Sequence, residues 1–399
     1  MLKLLLLIVQ MIFTFASDIY ACTIFTVKIK DNIYFCNHED YWEYGTMLWV
    51  RPGDGKKLGA IYYGYKSTQE SYRNIFADKP DLMVGDIHPD GGMNEKGLSW
   101  DWVADGTVWG TEKDSDKPPY KKSHIFYDII QKYSTVDEAI DFIKKYKHTG
   151  YVGRAIMNDR FGNSVEIYGK GGKIFFEKAD KNYQITGYGE RTEAKSLLNA
   201  GEYKNIKQIA VILDASHQGI LNQYSNINDP VNKIIYLFHF QNFEEFIKID
   251  MLHEFLFGEK SYSIPSLFSR IKILPPTIVR KSDSASVTFK WKGKPESIYK
   301  LLYSKDKSFS SYKEASINSS AIAIRPMPGS DRPQQDTETM STFENYKRNL
   351  PKFEIKEFSK TIGNMELNTT YYWKVVAHPK GNDHFISESF ISSFIADSK

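Results

Sequence analysis

The sequence predicts a layered α+β domain followed by an all-β sandwich, and three observations carry that expectation. Short β-branched and aromatic runs fill residues 22–110 and return between 154 and 240. Two stretches of helical periodicity are set among them, at 123–147 and 192–215. From Pro275-Pro276 onward helical periodicity fades and clean alternation takes over. The order strands, helix pair, strands, helices, strands fits sheets packed face to face with helices outside. Roughly 120 residues of short alternating strands then suggest a sandwich. A chain of 399 residues has room for two domains at about 100–200 residues each. The expected limits are a leader at 1–21, a first domain at 22–273 and a second at 274–399.

The leader comes first. Lys3 opens it, and residues 4–15 are apolar except for Gln10 and Thr14. That run is shorter than the roughly 20 residues that span a bilayer. Small-residue cut sites follow Ala16 and Ala21, as in a cleaved signal peptide, and a first cut would leave 17–21 as a short propeptide. The mature chain is therefore expected to be secreted, periplasmic or at the cell surface, without a transmembrane helix. Residues 23–29 and 33–37 read as a hairpin about Lys30-Asp31-Asn32, and residues 57–65 as a further strand. Gly91-Gly92-Met93-Asn94 reads as a tight turn capped by Glu95. Residues 123–147 split into two helices at Ser134-Thr135-Val136-Asp137-Glu138, an N-cap signature. Strands resume at 154–157, 164–168, 173–177 and 184–186. Helices follow at 192–200 and 206–215, then strands at 223–227 and 233–240. In the second domain residues 287–291, 371–376 and 390–394 alternate, and 326–339 read as a polar insertion.

Composition narrows the function. The net charge of +3, from 52 basic and 49 acidic residues, gives no electrostatic footprint for nucleic acid. Aromatic residues make up 15% of the chain, which favours strand-rich, aromatic-lined surfaces. No histidine pair stands at metal-ligand spacing beside an acidic partner, so neither metal nor cofactor is expected. Two cysteines, Cys22 and Cys36, are too few for a disulfide framework. The hairpin brings their strands close enough to leave a single bridge open.

Cys22 stands at the end of the leader, in Ala21-Cys22-Thr23-Ile24-Phe25. Cleavage after Ala21 would give one residue both a thiol and a free α-amine. An ordinary thiol has a pKa near 8.5 and an α-amine one near 7.7–8.0, so the amine can take the thiol proton and activate the sulfur. Cys22 could instead be a plain strand cysteine, or a lipid-modified one.

The stretch Cys22-Thr23-Ile24-Phe25, then Cys36-Asn37-His38-Glu39-Asp40-Tyr41, then Gly91-Gly92-Met93-Asn94-Glu95-Lys96-Gly97-Leu98 resembles the choloylglycine hydrolase / penicillin V acylase family. Tyr224-Ser225-Asn226-Ile227 and residues 233–240 are similar to its closing strands. The resemblance covers about residues 22–260. It implies a four-layer αββα N-terminal-nucleophile hydrolase sandwich that cleaves linear, non-peptide amides. It also implies roles by position. Cys22 would be the nucleophile and Asp40 the acid that holds its amine. Arg191 would lie near the nucleophile, and the Ala104 backbone N–H would be an oxyanion donor. Asn37 stands where many members carry arginine. Gly187 stands where the family has an asparagine oxyanion donor, so that side chain is missing. Trp100, Trp102, Trp109, Tyr62, Tyr63 and Tyr65 are candidates for an acyl pocket or for packing. Residues 365–375 are similar to the tyrosine-corner strand of fibronectin type III modules, with Trp291 as the core tryptophan. Such a module implies attachment at a cell surface.

The expected partner is a small acyl-amide substrate, and a homo-oligomer is compatible with the sequence. Two rivals stand beside the enzyme. One is a surface lipoprotein or binding module that keeps the fold without the chemistry. The other is a papain-like protease using His217 or His239.

Overall fold

A computed structural model of the chain describes residues 22–41, 45–66, 87–109, 116–120, 125–148, 152–187, 192–201, 203–316, 322–328, 352–382 and 384–397. The leader, Arg191 and most of the polar insertion expected at 326–339 lie outside them. The described residues are mostly sheet with few helices. The chain divides into two compact units, Met1–Ile235 with Asp250–Ser261, and Tyr236–Ile249 with Tyr262–Lys399.

In the first unit, β1 (Thr23–Ile29), β2 (Asn32–Asp40), β3 (Thr46–Arg51), β4 (Ala60–Lys66), β5 (Ile87–Asn94) and β6 (Ser99–Val108) precede α1 (Ile125–Ile130) and α2 (Val136–Lys144). Then come β7 (Val152–Asn158), β8 (Ser164–Lys170), β9 (Lys173–Lys178), β10 (Tyr183–Gly187), α3 (Thr192–Ala200), α4 (Ile206–Asp214) and β11 (Asn222–Asp229). Strands β10, β1, β2 and β11 pair side by side in that order, and β3 to β9 pair in sequence order. The pairings are antiparallel.

Strand β1 is buried on both faces from Thr23 to Val27. A strand covered on both sides favours a continuous β-branched and aromatic run, and its sequence TIFTVKI supplies one. Ile24 and Phe35 form one apolar cluster with Val103 and Ile156, so the β1–β2 pair faces the β6–β7 pair. Alternation sends the neighbouring residues of β4 and β6 the other way. There Tyr62, Trp100 and Trp109 pack with Phe126, Ile129, Val136 and Ile140 of the helix pair, and Trp100 stacks on Phe126 at 4.9 Å. The expected N-cap opens α2: Glu138 N–H donates to Thr135 Oγ1, and the Glu138 carboxylate accepts from Thr135 N–H. Helix α4 packs on β2 and β11. Just past its end, Ser216 Oγ lies 2.7 Å from His38 Nε2.

One expectation changes, and one open alternative closes. Gly91-Gly92-Met93-Asn94 is strand rather than turn, and the chain turns at Glu95-Lys96. Glycine in a strand often marks a close approach. A Cβ on Gly91 would lie 2.0 Å from Asp101 Oδ2, and one on Gly92 would lie 2.7 Å from the Ile61 carbonyl oxygen. Asn94 does hold the turn, accepting from the N–H groups of Lys96 and Leu98 and donating to the carbonyls of Ile130 and Tyr133. The Cys22–Cys36 bridge is absent, and both thiols are free. Cys36 pairs with Phe25, whereas Asn37 pairs with Ile24. Cys22 shares the face of Ile24, so a bridge would have to pass through the sheet.

In the second unit, β12 (Ile234–His239) and β13 (Asn242–Asp250) come first; their residues 236–249 group here although the sequence placed them in the first domain. Helix α5 (Met251–Phe255) belongs to the first unit, and β14 (Lys260–Ser263) straddles the division. Then follow β15 (Lys272–Arg280), β16 (Ala285–Gly293), β17 (Ile298–Ser304), β18 (Lys313–Ser316), β19 (Ile322–Pro328), β20 (Lys352–Met365), β21 (Thr370–His378), β22 (Ser387–Ser389) and β23 (Ser392–Ile395). Strands β15, β16, β20 and β19 form one sheet; β13, β22, β21, β17 and β18 follow one another in a second, with β23 also on β21. Phe289 and Trp291 of the first share a core with Leu301, Trp373 and Val375 of the second. Tyr371 Oη accepts from Glu366 N–H at 3.1 Å, tying the strand start to the turn before it.

Candidate functional site

Cys22 immediately precedes β1 and is half-buried against the Ile24–Phe35–Val103–Ile156 cluster. The hairpin register pairs Ile29 with Asn32 and Thr23 with His38. One step further, Cys22 lies opposite Glu39. The contact is direct: the Cys22 thiol donates to Glu39 Oε2 at 3.4 Å. Tyr65, reaching across from β4, donates to Glu39 Oε1 at 3.1 Å. On the other side of β2, Tyr224 of β11 pairs with Glu39.

Directly paired residues share a face. Cys22, Asn37, Glu39 and Tyr224 therefore look toward the second sheet, where Tyr63, Tyr65 and Asp101 look back. This layer between the sheets is polar. Tyr63 Oη donates to Asn228 Oδ1 at 2.7 Å. Asp101 is fully buried, and its Oδ1 accepts its neighbour's Trp102 N–H at 2.7 Å. Several polar atoms here have no partner among the described residues: both side-chain atoms of Asn37, the Tyr224 hydroxyl and Asp101 Oδ2. Buried polar groups are nearly always paired, so such a set beside a thiol singles out this place as the candidate site.

Among the described residues, the charged groups that bear on this layer are acidic. Burial, and then the negative charges of Glu39 and Asp40, push the Cys22 thiol well above its ordinary value; the Asp40 N–H opposes them. Burial and Asp90 push Glu39 well up, against the hydrogen bonds from Cys22 and Tyr65. Burial and Glu39 do the same to Asp101. These directions hold for a chain in which the Cys22 nitrogen is a peptide amide.

Of the residues singled out in the sequence, Asn37 joins Cys22 on one face. Asp40 is buried on the opposite face of β2, where its Oδ1 accepts from Asn222 Nδ2 at 3.2 Å and its Oδ2 from Gln218 N–H at 3.2 Å. What Asp40 turns toward Cys22 is its backbone N–H. Ala104 is exposed on β6, next to Val103 of the Cys22 cluster. A Cβ on Gly187 would lie 3.1 Å from both the Cys22 carbonyl oxygen and Thr23 Oγ1, so a side chain there would first meet Thr23. Of the six aromatic candidates, Tyr63 and Tyr65 reach the site, whereas Tyr62, Trp100 and Trp109 are helix-side core and Trp102 packs against them. His217 is turned to Asp214 at 3.3 Å, and the thiol's hydrogen bond goes to a carboxyl.

Glu39, Asp101 and Tyr224 are not in the sequence-based set. Glu39 had a usable signal, because a two-residue turn at Lys30-Asp31 places it opposite Cys22 by counting. The other two come from strands whose pairing no local pattern announces.

No family model matches the chain, and no curated protein matches it in sequence. Solved structures resemble it at low identity. A conjugated bile acid hydrolase from Clostridium perfringens is 15% identical, with a TM-score of 0.44 over 60% of this chain and 96% of that one. A second variant of that enzyme gives 15% and 0.43 over 61% and 97%. A penicillin V acylase from Agrobacterium tumefaciens is 14% identical, with a TM-score of 0.39 over 54% and 82%.

Proposed function

We propose that this protein is an exported cysteine amidohydrolase, processed to begin at Cys22, that cleaves a linear non-peptide amide. The observation that carries it is the Cys22 thiol, set at the head of a buried strand and hydrogen-bonded to a carboxyl at 3.4 Å, within a polar layer between two sheets. On this reading the first unit is an αββα sandwich, with α1 and α2 outside one sheet and α3 and α4 outside the other. The second unit is a fibronectin-like appendage.

Removal of the leader frees the Cys22 nitrogen, and its ammonium joins a site where Glu39 and Asp101 are the charged groups among the described residues. The thiolate attacks the amide carbon, a thioester forms, and the amine leaves with a proton. Water then releases the acid and restores the thiol, with the α-amine as proton carrier. Two donors aimed at the oxyanion are needed. The Ala104 N–H and the unpartnered Asn37 amide are assigned to it, Asn37 replacing the asparagine absent at Gly187. Asp40 acts through its position, held from behind by Asn222 and Gln218. Arg191 is retained as a candidate near the nucleophile.

The test has two parts. Cys22→Ala should abolish release of amine from acyl amides while the protein stays folded, and full activity would end the proposal. The intact mass of the exported protein should correspond to a start at unmodified Cys22. A diacylglyceryl mass on Cys22 would instead support a lipid-anchored binding module.

A further inference from the structure

We propose that Glu39 is a catalytic acid–base residue of this site, taking the proton from the Cys22 thiol and delivering it to the departing amine. The inference rests on Cys22 being the nucleophile, and in it Glu39 takes over the proton-carrying part that the proposed function gives to the Cys22 α-amine. Glu39 Oε2 is the acceptor already in contact with the sulfur, at 3.4 Å. Its other oxygen is fixed by Tyr65 at 3.1 Å, and the residue is 5% exposed. The carboxyl is thus held in one orientation beside the reacting atom.

The charged and titratable groups around it are Cys22 on β1, Asp40 on its own strand, Tyr224 on β11, Tyr65 on β4, Asp90 on β5 and Asp101 on β6. Burial raises both Glu39 and the Cys22 thiol, and the contact between them is what carries the assignment. In acylation the S–H proton passes to Oε2, the S–C bond forms, the amide C–N bond breaks, and the Glu39 proton goes to the amine nitrogen. In deacylation water gives Glu39 a proton as its oxygen attacks the thioester, the C–S bond breaks, and that proton returns to the sulfur.

Leaving groups separate this role from a structural one. A p-nitrophenyl ester expels a phenolate that needs no proton, whereas a p-nitroanilide of the same acyl chain expels an amine that does. In the exported protein with its native N-terminus, Glu39→Gln should slow anilide turnover by about 10²–10⁴-fold. Acylation of Cys22 by the ester loses only the proton-accepting half of the role and should slow by much less than anilide turnover. Iodoacetamide should alkylate Cys22 at lower pH in this variant, because a negative charge beside the sulfur has gone. Equal loss on ester and anilide, or anilide turnover within about threefold of the parent protein, would overturn the assignment. If Glu39→Gln does not fold, Tyr65→Phe carries the test. It removes a hydrogen bond that lowers Glu39, so the acid limb of kcat/KM should move to higher pH, and an unmoved limb overturns the proposal. Cys22→Ala separates the failures. Loss of activity in Cys22→Ala with retention in Glu39→Gln defeats the Glu39 role alone, whereas retention in Cys22→Ala defeats the nucleophile and this inference together.

Discussion

Asn37 makes a demand on the fold that can be measured. It is fully buried in β2, and neither its Nδ2 nor its Oδ1 has a partner among the described residues. A buried polar group left unpaired costs about 1–3 kcal/mol. Leucine is similar in size and has nothing to satisfy. Asn37→Leu should therefore raise the unfolding free energy of the first unit by about 1–3 kcal/mol. The same change deletes a proposed oxyanion donor and should lower amide turnover by about 10²–10³-fold. Urea unfolding read by hydrogen exchange in peptides from β1 and β2 reports on the first unit separately from the second. Stability gained with activity lost is the expected pair. A variant destabilised by more than about 1 kcal/mol would mean that the amide is satisfied in the native protein, and the argument from burial would fail. Unchanged turnover would remove Asn37 from the oxyanion site.

Other outcomes follow from single contacts. Gly91→Ala should shift Asp101, because the new Cβ would sit 2.0 Å from its carboxylate; a loss of about 1–3 kcal/mol is expected, readable as a lowered urea midpoint. Thr135→Ala removes the side-chain half of the α2 cap while the Thr135 N–H keeps its bond to Glu138, and should cost about 0.5–2 kcal/mol by the same assay. Cys36→Ala changes a fully buried thiol on the face away from Cys22, so amide turnover per folded molecule should be unchanged, as active-site titration would show. Glu39 and Asp101 are both raised above their ordinary values of 4.5 and 3.8. The folded state then holds more protons than the unfolded one above those values, so first-unit stability should fall as pH rises through the interval up to the raised pKa values. Glu39→Gln should flatten that slope in a pH series of urea titrations.

Local chemistry was legible where one stretch of chain decides the outcome. The α2 cap at Thr135–Glu138, the helix at 192–200 and the alternation around Trp291 are such cases, because each is settled by spacing within a few residues. The hairpin that seats Cys22 was legible for the same reason. Gly91-Gly92 misled because the pair signals a turn locally, while its actual task, making room for the Asp101 carboxylate and the Ile61 carbonyl, depends on strands β6 and β4. The aromatic set divided for a related reason. Tyr62 and Tyr63 are adjacent in sequence yet serve opposite faces, and only the position of the second sheet tells which face meets the thiol. Asp101 and Tyr224 stayed hidden because each reaches the site through non-local pairing.

The turn at Lys30-Asp31 sets a parity rule for how this chain can change. Lys30 has a φ of 55°, so the reversal takes two residues with one in the left-handed region. A one-residue slip of the β1–β2 pairing, which sets Ile29 against Asn32, would turn every later side chain of β2 to the other face. His38 or Asp40 would then confront the sulfur, and Glu39 would turn to the helices. Length variation in this loop should therefore be tolerated where the β1–β2 register is kept, and a library of loop lengths would sort into active members that keep it and silent ones that slip by one.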